Sequence, residues 1–194
     1  MNVQELGVLI HKCFPLSWAM KWDNVGLLIN PNNNIEIKNV LVTVDLTESI
    51  VTEAISKRCN FIFSYHPPIF YKMPLNLLIQ DKKCAMYMKC IKNDIAVFSA
   101  HSNLDASSDG PNDYILNKFD IKSSSLKGIL TLENMESPSL DGTHGRSAHL
   151  NESISLNSAI DSVKRICNIK QLRIATSLKN KGNSYEYIYI LEIV

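Results

Sequence analysis

The sequence predicts an α/β fold in three layers, with a largely parallel sheet between helices on both faces. Three observations carry that prediction. Short β-branched or aromatic runs alternate with helical patterns between residues 40 and 100, in the order β-α-β-α-β. The runs are apolar on successive residues, as in strands covered on both faces. The stretches between them are long enough for the right-handed crossovers that parallel strands require.

The elements follow in order. Val3, Leu6, Leu9 and Ile10 recur at helical spacing, which predicts a helix over residues 2–13 that stops before Pro15. A loop is expected next, up to and including the polar turn PNNN at 31–34. VLVTVDL at 40–46 reads as a buried parallel strand, and Thr47 caps a helix that runs to about Lys57. FIFSY at 61–65 is the second strand, ended by Pro67 and Pro68. A helical pattern from Ile79 to Ile91 leads into the third strand, IAVFSA at 95–100. Gly110, Pro111 and Asn112 open a short helix to about Lys118, which completes an N-terminal α/β domain over residues 1–119.

Residues 120–144 are rich in Ser, Asn, Gly and Pro and read as a connector with at most one strand, LKGILTL. Residues 145–194 then read as a partial second α/β half. GRSAHL is a strand, ISLNSAIDSVKRIC a helix with Leu156, Ile160, Val163 and Ile166 on its apolar face, and QLRIAT and YEYIYILEIV are strands. The last two are expected to lack sheet partners.

Composition narrows the function classes. Of 194 residues, 45% are hydrophobic and 20% charged, a globular balance far from that of disordered chains. Lys and Arg number 20 against 19 for Asp and Glu, so no bulk field draws the chain to polyanions and no direct nucleic-acid binding is expected. The five cysteines form no C-x-x-C pair, which suits a reducing compartment. No run approaches the roughly 20 apolar residues of a membrane helix, and the start lacks a signal-peptide pattern. A cytoplasmic address, open to the nucleus, with no membrane partner, is the expectation.

In open parallel sheets, ligands bind beyond the carboxyl ends of the strands. The polar residues fall there: Asp45 ends the first strand, His66 the second and His101 the third, with Asp105 four residues on. Neutral imidazole and carboxylate are ligands for Zn, Mn or Fe, so a divalent metal is the first functional reading. Taken singly, each residue has an ordinary role as a cap or a backbone partner; their convergence on one edge points to a metal or catalytic site. His11 sits on the polar side of its helix, and His144 and His149 lie beyond the first sheet. The cluster Trp22-Asp23-Asn24-Val25-Gly26 reads as a structural turn pinned by Trp22, with function open beside it. The chain has no glycine-rich phosphate loop, no G-x-S-x-G and no H-E-x-x-H.

Four segments resemble one known family: WDNVGLLI at 22–29, VLVTVDLT at 40–47, FIFSYHPPIF at 61–70 and HSNLDASSDGPNDYIL at 101–116. It is the Nif-three-like family, also called GTP cyclohydrolase type-two homologues, and the likeness is to its animal-type branch. The segment 142–175 resembles the start of the family's second half. The resemblance implies a toroidal homohexamer of intertwined α/β units with a two-metal site. It implies His66 and Asp105 as metal ligands and His101 as a lesser one, with Asp45, Trp22, Asp23 and Asn24 in support.

Tyr65 stands where many bacterial members carry a second histidine, and the family's C-terminal H-x-x-x-E ligands do not occur before Val194. A C-terminally truncated chain with an incomplete divalent-metal site is therefore expected. Two functions stay open: a regulatory or protein-interaction role with transcription-related partners, and a metal-dependent hydrolase acting on a nucleotide-like or cyclic substrate. The missing ligands favour the first and an inactive form; whether the chain is an enzyme is left open.

Overall fold

The computed structural model describes residues 1–70, 76, 78–131, 140–175 and 185–190. The chain divides into two compact units, Met1–Leu104 and Asp105–Val194.

The first unit contains α1 (Val3–Cys13), β1 (Gly26–Ile29), β2 (Val40–Thr43), α2 (Glu48–Ser56), β3 (Phe61–Ser64), α3 (Lys82–Lys92) and β4 (Ala96–Ser99). A single turn, α4 (Ser102–Asp105), follows β4. The sheet order is β1-β4-β3-β2, with β2, β3 and β4 parallel and β1 antiparallel to β4. Side chains alternate across the sheet. On β3 and β4, Phe61, Ala96 and Phe98 pack against Val3 of α1, while Ile62 and Val97 pack against Val51 and Ala54 of α2 and Met86, Tyr87 and Cys90 of α3. That makes α1 one layer and α2 with α3 the other, the three-layer arrangement the pattern predicts.

Local chemistry sets the helix starts. Asn2 accepts from Glu5 N while the Glu5 carboxylate accepts from Asn2 N, a capping box that opens α1. Thr47 caps α2 through Ile50 N, and Asp81 caps α3 through Cys84 N.

The structure corrects the sequence reading in three places within or near this frame. The segment taken as a loop after α1 holds a strand, β1, whose first residue Gly26 has φ +112°, a conformation that favours glycine. GLLI owes its strand identity to pairing with β4, so β1 was invisible to spacing. β2 is the edge strand, not a buried one, and Val40 and Val42 are exposed on one of its faces. His11 leaves the polar side of its helix: its ring lies 5.0 Å from that of Phe98, and burial lowers its pKa.

The second unit contains α5 (Pro111–Leu116), β5 (Lys127–Thr131), β6 (Thr143–Ile154), α6 (Leu156–Cys167) and β7 (Tyr185–Ile190). Its sheet is antiparallel, in the order β5-β6-β7. β7 pairs along β6, so the final strand has the partner that the sequence reading denied it. Residues 171–175 of the expected strand QLRIAT are irregular, and Thr176 lies outside the described residues. GRSAHL is the middle of the 12-residue β6. Its Arg146 is fully buried. The guanidinium bonds the Asp113 carboxylate and the carbonyls of Ser107, Leu140, Thr143 and Gly145. α6 is capped by Ser155 and closed by Asn168 in the left-handed conformation, φ 52°.

Candidate metal centre

The strand register builds the site. Thr43 of β2 pairs with Ser64 of β3, and Ser64 pairs with Ser99 of β4. Two residues further along each chain, the same row would bring Asp45, His66 and His101 side by side. Hydrogen bonds carry the β2–β3 ladder that far: Tyr65 N donates to Thr43 O at 2.9 Å and His66 N to Val44 O at 2.8 Å. β1 runs the other way, with Gly26 opposite Ser99, so the residues before Gly26 face those after Ser99. Asp23 thereby reaches His101 and Ser102.

The outcome is two carboxylate–imidazole pairs. His66 Nδ1 lies 2.8 Å from Asp45 Oδ1, and His101 Nδ1 lies 3.0 Å from Asp23 Oδ1. A carboxylate only accepts, so each Nδ1 is the donor of its pair. The two rings stand edge-to-face with centroids 5.5 Å apart. Nε2 of His66 is buried and has no hydrogen-bond partner among the described residues. An unmet buried acceptor costs about 1–3 kcal/mol, which a cation at that nitrogen would recover.

Asp23 is the better buried of the two carboxylates. Its side chain is fully covered and also accepts from Ser102 N at 2.9 Å and from Ser102 Oγ. Burial pushes its pKa up, but the hydrogen bonds from His101 and Ser102 outweigh that and hold it below the ordinary carboxylate value. Asp45, by contrast, is largely exposed.

The rest of the tryptophan turn is tied down close by. Asn24 Nδ2 donates to Ile69 O, and the Trp22 ring stands 6.1 Å from that of His101. Tyr65 packs on both imidazoles, with centroids 4.9 Å from His66 and 5.3 Å from His101. Beside His66 opens a cleft of about 220 Å³ lined by Asp45, Pro67, Pro68, Lys83 and Tyr87. Tyr87 Oη donates to Pro68 O at 2.6 Å and fixes the proline turn.

The first unit thus gathers Asp45, His66, His101, Asp23, Trp22 and Asn24. Asp105 is the first residue of the second unit, where it is buried and its carbonyl accepts from Asn112 Nδ2 at 3.1 Å. Among the described residues, no group of three or more His, Cys, Asp or Glu is arranged to hold a metal ion. In the first unit, His66 and His101 are the imidazoles that could serve as metal ligands. Reading Asp23 as part of a structural turn missed its hold on His101; the signal was an acidic residue inside a dense polar motif before an unseen antiparallel strand.

Comparison with known proteins bears on this arrangement. The model of the Duf34/NIF3 family (NGG1p interacting factor 3) matches residues 1–184. The chain belongs to this family. NIF3-like protein 1 of Drosophila melanogaster is 38% identical over 165 residues, which are 83% of this chain and 53% of the relative. The GTP cyclohydrolase 1 type 2 homolog of Clostridium acetobutylicum is 31% identical over 188 residues, 97% of this chain and 68% of that one. The match covers only 34% of NIF3-like protein 1 of Dictyostelium discoideum. A hypothetical protein of Staphylococcus aureus superposes with a TM-score of 0.82 at 26% identity, over 98% of this chain and 71% of that one. A Bacillus cereus protein related to NIF3 shares the fold, with a TM-score of 0.79 at 19% identity over 98% of this chain and 76% of that one. In this NIF3-family chain, no helix among the described residues is long and apolar enough to cross a membrane.

Proposed function

We propose that this NIF3-family chain binds a divalent cation of the Zn, Mn or Fe class through Nε2 of His66 and of His101, and serves metal-dependent hydrolysis of a nucleotide-like or cyclic substrate. The observation that carries the reading is the buried Nε2 of His66, unpartnered among the described residues, on a ring whose other nitrogen is held by Asp45. Carboxylate–histidine pairs of this kind orient metal ligands and raise their basicity. A cation held there would supply Lewis acidity to the reacting group. The chain's own residues do the positioning. Asp45 and Asp23 fix both tautomers, Tyr65 walls both imidazoles, and Lys83 in the adjoining cleft offers a positive charge to an anionic group.

A second reading is a regulatory, protein-interaction role with transcription-related partners. It draws on the family's description as an interacting factor and on the small ligand set among the described residues. Calorimetric titration of the full chain with zinc tests the first reading. Saturable binding that is lost in His66→Ala supports it; a heat signature identical in the two proteins overturns it.

A further inference from the structure

The antiparallel sheet of the second unit has two unlike faces, because alternate residues of a strand point to opposite sides. One is the core face, where Arg146 and Ala148 of β6 are buried. The other carries a polar set placed by the strand register. Lys127 of β5 pairs with Ser147 of β6, and Ser147 pairs with Tyr189 of β7, which makes one cross-strand row. His149 and Tyr187 make the next. β5 starts too late to complete that second row, and the turn Ser123–Ser125 takes its place: His149 N donates to Ser125 Oγ and Lys122 N to His149 O, both at 2.8 Å.

Together with Ser124 these residues line a cavity of about 430 Å³. Its polar side chains are an ammonium, an imidazole and hydroxyls, with no carboxylate among the described residues. No ion pair or hydrogen bond with another described residue engages the side chains of Lys127, Ser124 or Ser147. The chain as a whole is close to neutral, with 20 basic against 19 acidic residues, so this uncompensated lysine is a local feature. The rings are set by their own contacts. Tyr187 lies against His149 with centroids 3.8 Å apart, and Tyr189 stacks on Tyr187 at 6.2 Å with the planes 19° apart. The imidazole and both phenols are therefore ordered before a ligand arrives.

We propose that this cavity is an anion site for a phosphomonoester, with the Lys127 ammonium meeting its charge and His149, Ser124 and Ser147 donating to its oxygens. A phosphate presents several acceptor oxygens at once, and hydrogen bonds to an ionised acceptor are stronger than those between neutral groups. The volume falls within the roughly 300–1,000 Å³ of small-molecule sites, more room than a bare ion fills, so the occupant carries an organic group as well. The site lies wholly within the second unit and draws on neither His66, His101 nor a cation.

The test is calorimetric titration of the full chain with glycerol 3-phosphate, inorganic phosphate, acetate and glycerol, with a metal chelator present so that no cation holds the anion. Saturable binding of glycerol 3-phosphate, weaker binding of inorganic phosphate and acetate, and none of glycerol is expected, with affinity falling as salt is added. Lys127→Met and Ser147→Ala should each weaken glycerol 3-phosphate roughly tenfold or more, the scale of a lost hydrogen bond to a charged group. His66→Ala should leave it unchanged. Lys127 is exposed, so its replacement tests the site without disturbing the core. Absent binding, binding undiminished in either variant, or inorganic phosphate or acetate held as tightly as the ester overturns the phosphomonoester. So does a loss in His66→Ala, which would move the anion to the imidazole pair. If light scattering shows that Lys127→Met splits an oligomer, the face belongs to a second copy and the proposal fails. Binding that passes these tests stands whether or not the chain takes up zinc.

Discussion

Asp45 holds His66 by a 2.8 Å contact to Nδ1, across the extended register of two parallel strands, and leaves the ring's other nitrogen buried. Removing that carboxylate should free the ring to turn and lower the basicity of Nε2. Asp45→Asn is expected to weaken zinc or manganese binding by about 10–100-fold without changing the fold, since carboxylates behind metal-binding histidines contribute on that scale. Competition with a chromogenic chelator gives the number. An unchanged affinity would mean that Asp45 is an exposed residue with no hold on the site.

Arg146 is the largest fully buried side chain among the described residues, and its charge is met by Asp113 and a ring of carbonyls. Arg146→Ala leaves the Asp113 carboxylate buried without its cation, which costs about 3–5 kcal/mol. Replacing both, with Arg146→Met and Asp113→Asn, should cost less than the single change because no uncompensated charge remains. Urea denaturation at neutral pH separates the two cases. Equal loss in both variants would assign the stability to the carbonyl contacts rather than to the ion pair.

The helices apart from the single turn α4, and three of the first four strands, were legible in the sequence because apolar spacing and caps are local signals. Thr47 and the β-branched run before it marked α2 and β2 without help from elsewhere. β1 was not legible, because GLLI gains its strand identity from pairing with β4, a contact that spacing cannot carry. The exposure of Val42 is likewise set by sheet order, which places β2 at the edge. At the site, His66 and His101 could be read as strand ends. The partnership of His101 with Asp23 could not, since it depends on an antiparallel strand bringing residues 78 positions apart together. QLRIA resembles a strand in composition alone; strand propensity reports fit to a sheet surface, and residues 171–175 take no place in one.

Cys90 is fully buried, and burial pushes its thiol up to about 11. The folded chain keeps that proton where the unfolded chain has lost it. Its contribution to stability is therefore full below the ordinary thiol range and is lost as pH rises from there toward about 11. Cys13 and Cys167 are exposed, so at pH 8 a thiol reagent should modify them first and reach Cys90 only on unfolding. Mass mapping after brief labelling checks the order. Cys90 labelled as fast as Cys13 in the folded chain would contradict the packing around α3.

Tyr65 is the residue through which the first unit's ligand set is most readily enlarged. Its ring already packs on both imidazoles, at 4.9 Å from His66 and 5.3 Å from His101, and its backbone is fixed by the bond from Tyr65 N to Thr43 O. A histidine at that position would place a third imidazole against the pair while the ladder beneath it stays intact. Three protein ligands hold a borderline cation far better than two, because each added nitrogen displaces a water that the ion otherwise retains. Tyr65→His should therefore tighten zinc binding on the order of tenfold or more, about 1.4 kcal/mol. The gain should vanish in Tyr65→His combined with His66→Ala, because the new imidazole then acts without its neighbour. Cobalt substitution gives a second readout, since its visible absorption strengthens as coordination falls from six-fold to tetrahedral. If Tyr65→His binds zinc no more tightly than the parent chain, the cation is not held at the imidazole pair, and the metal reading of His66 and His101 fails with it.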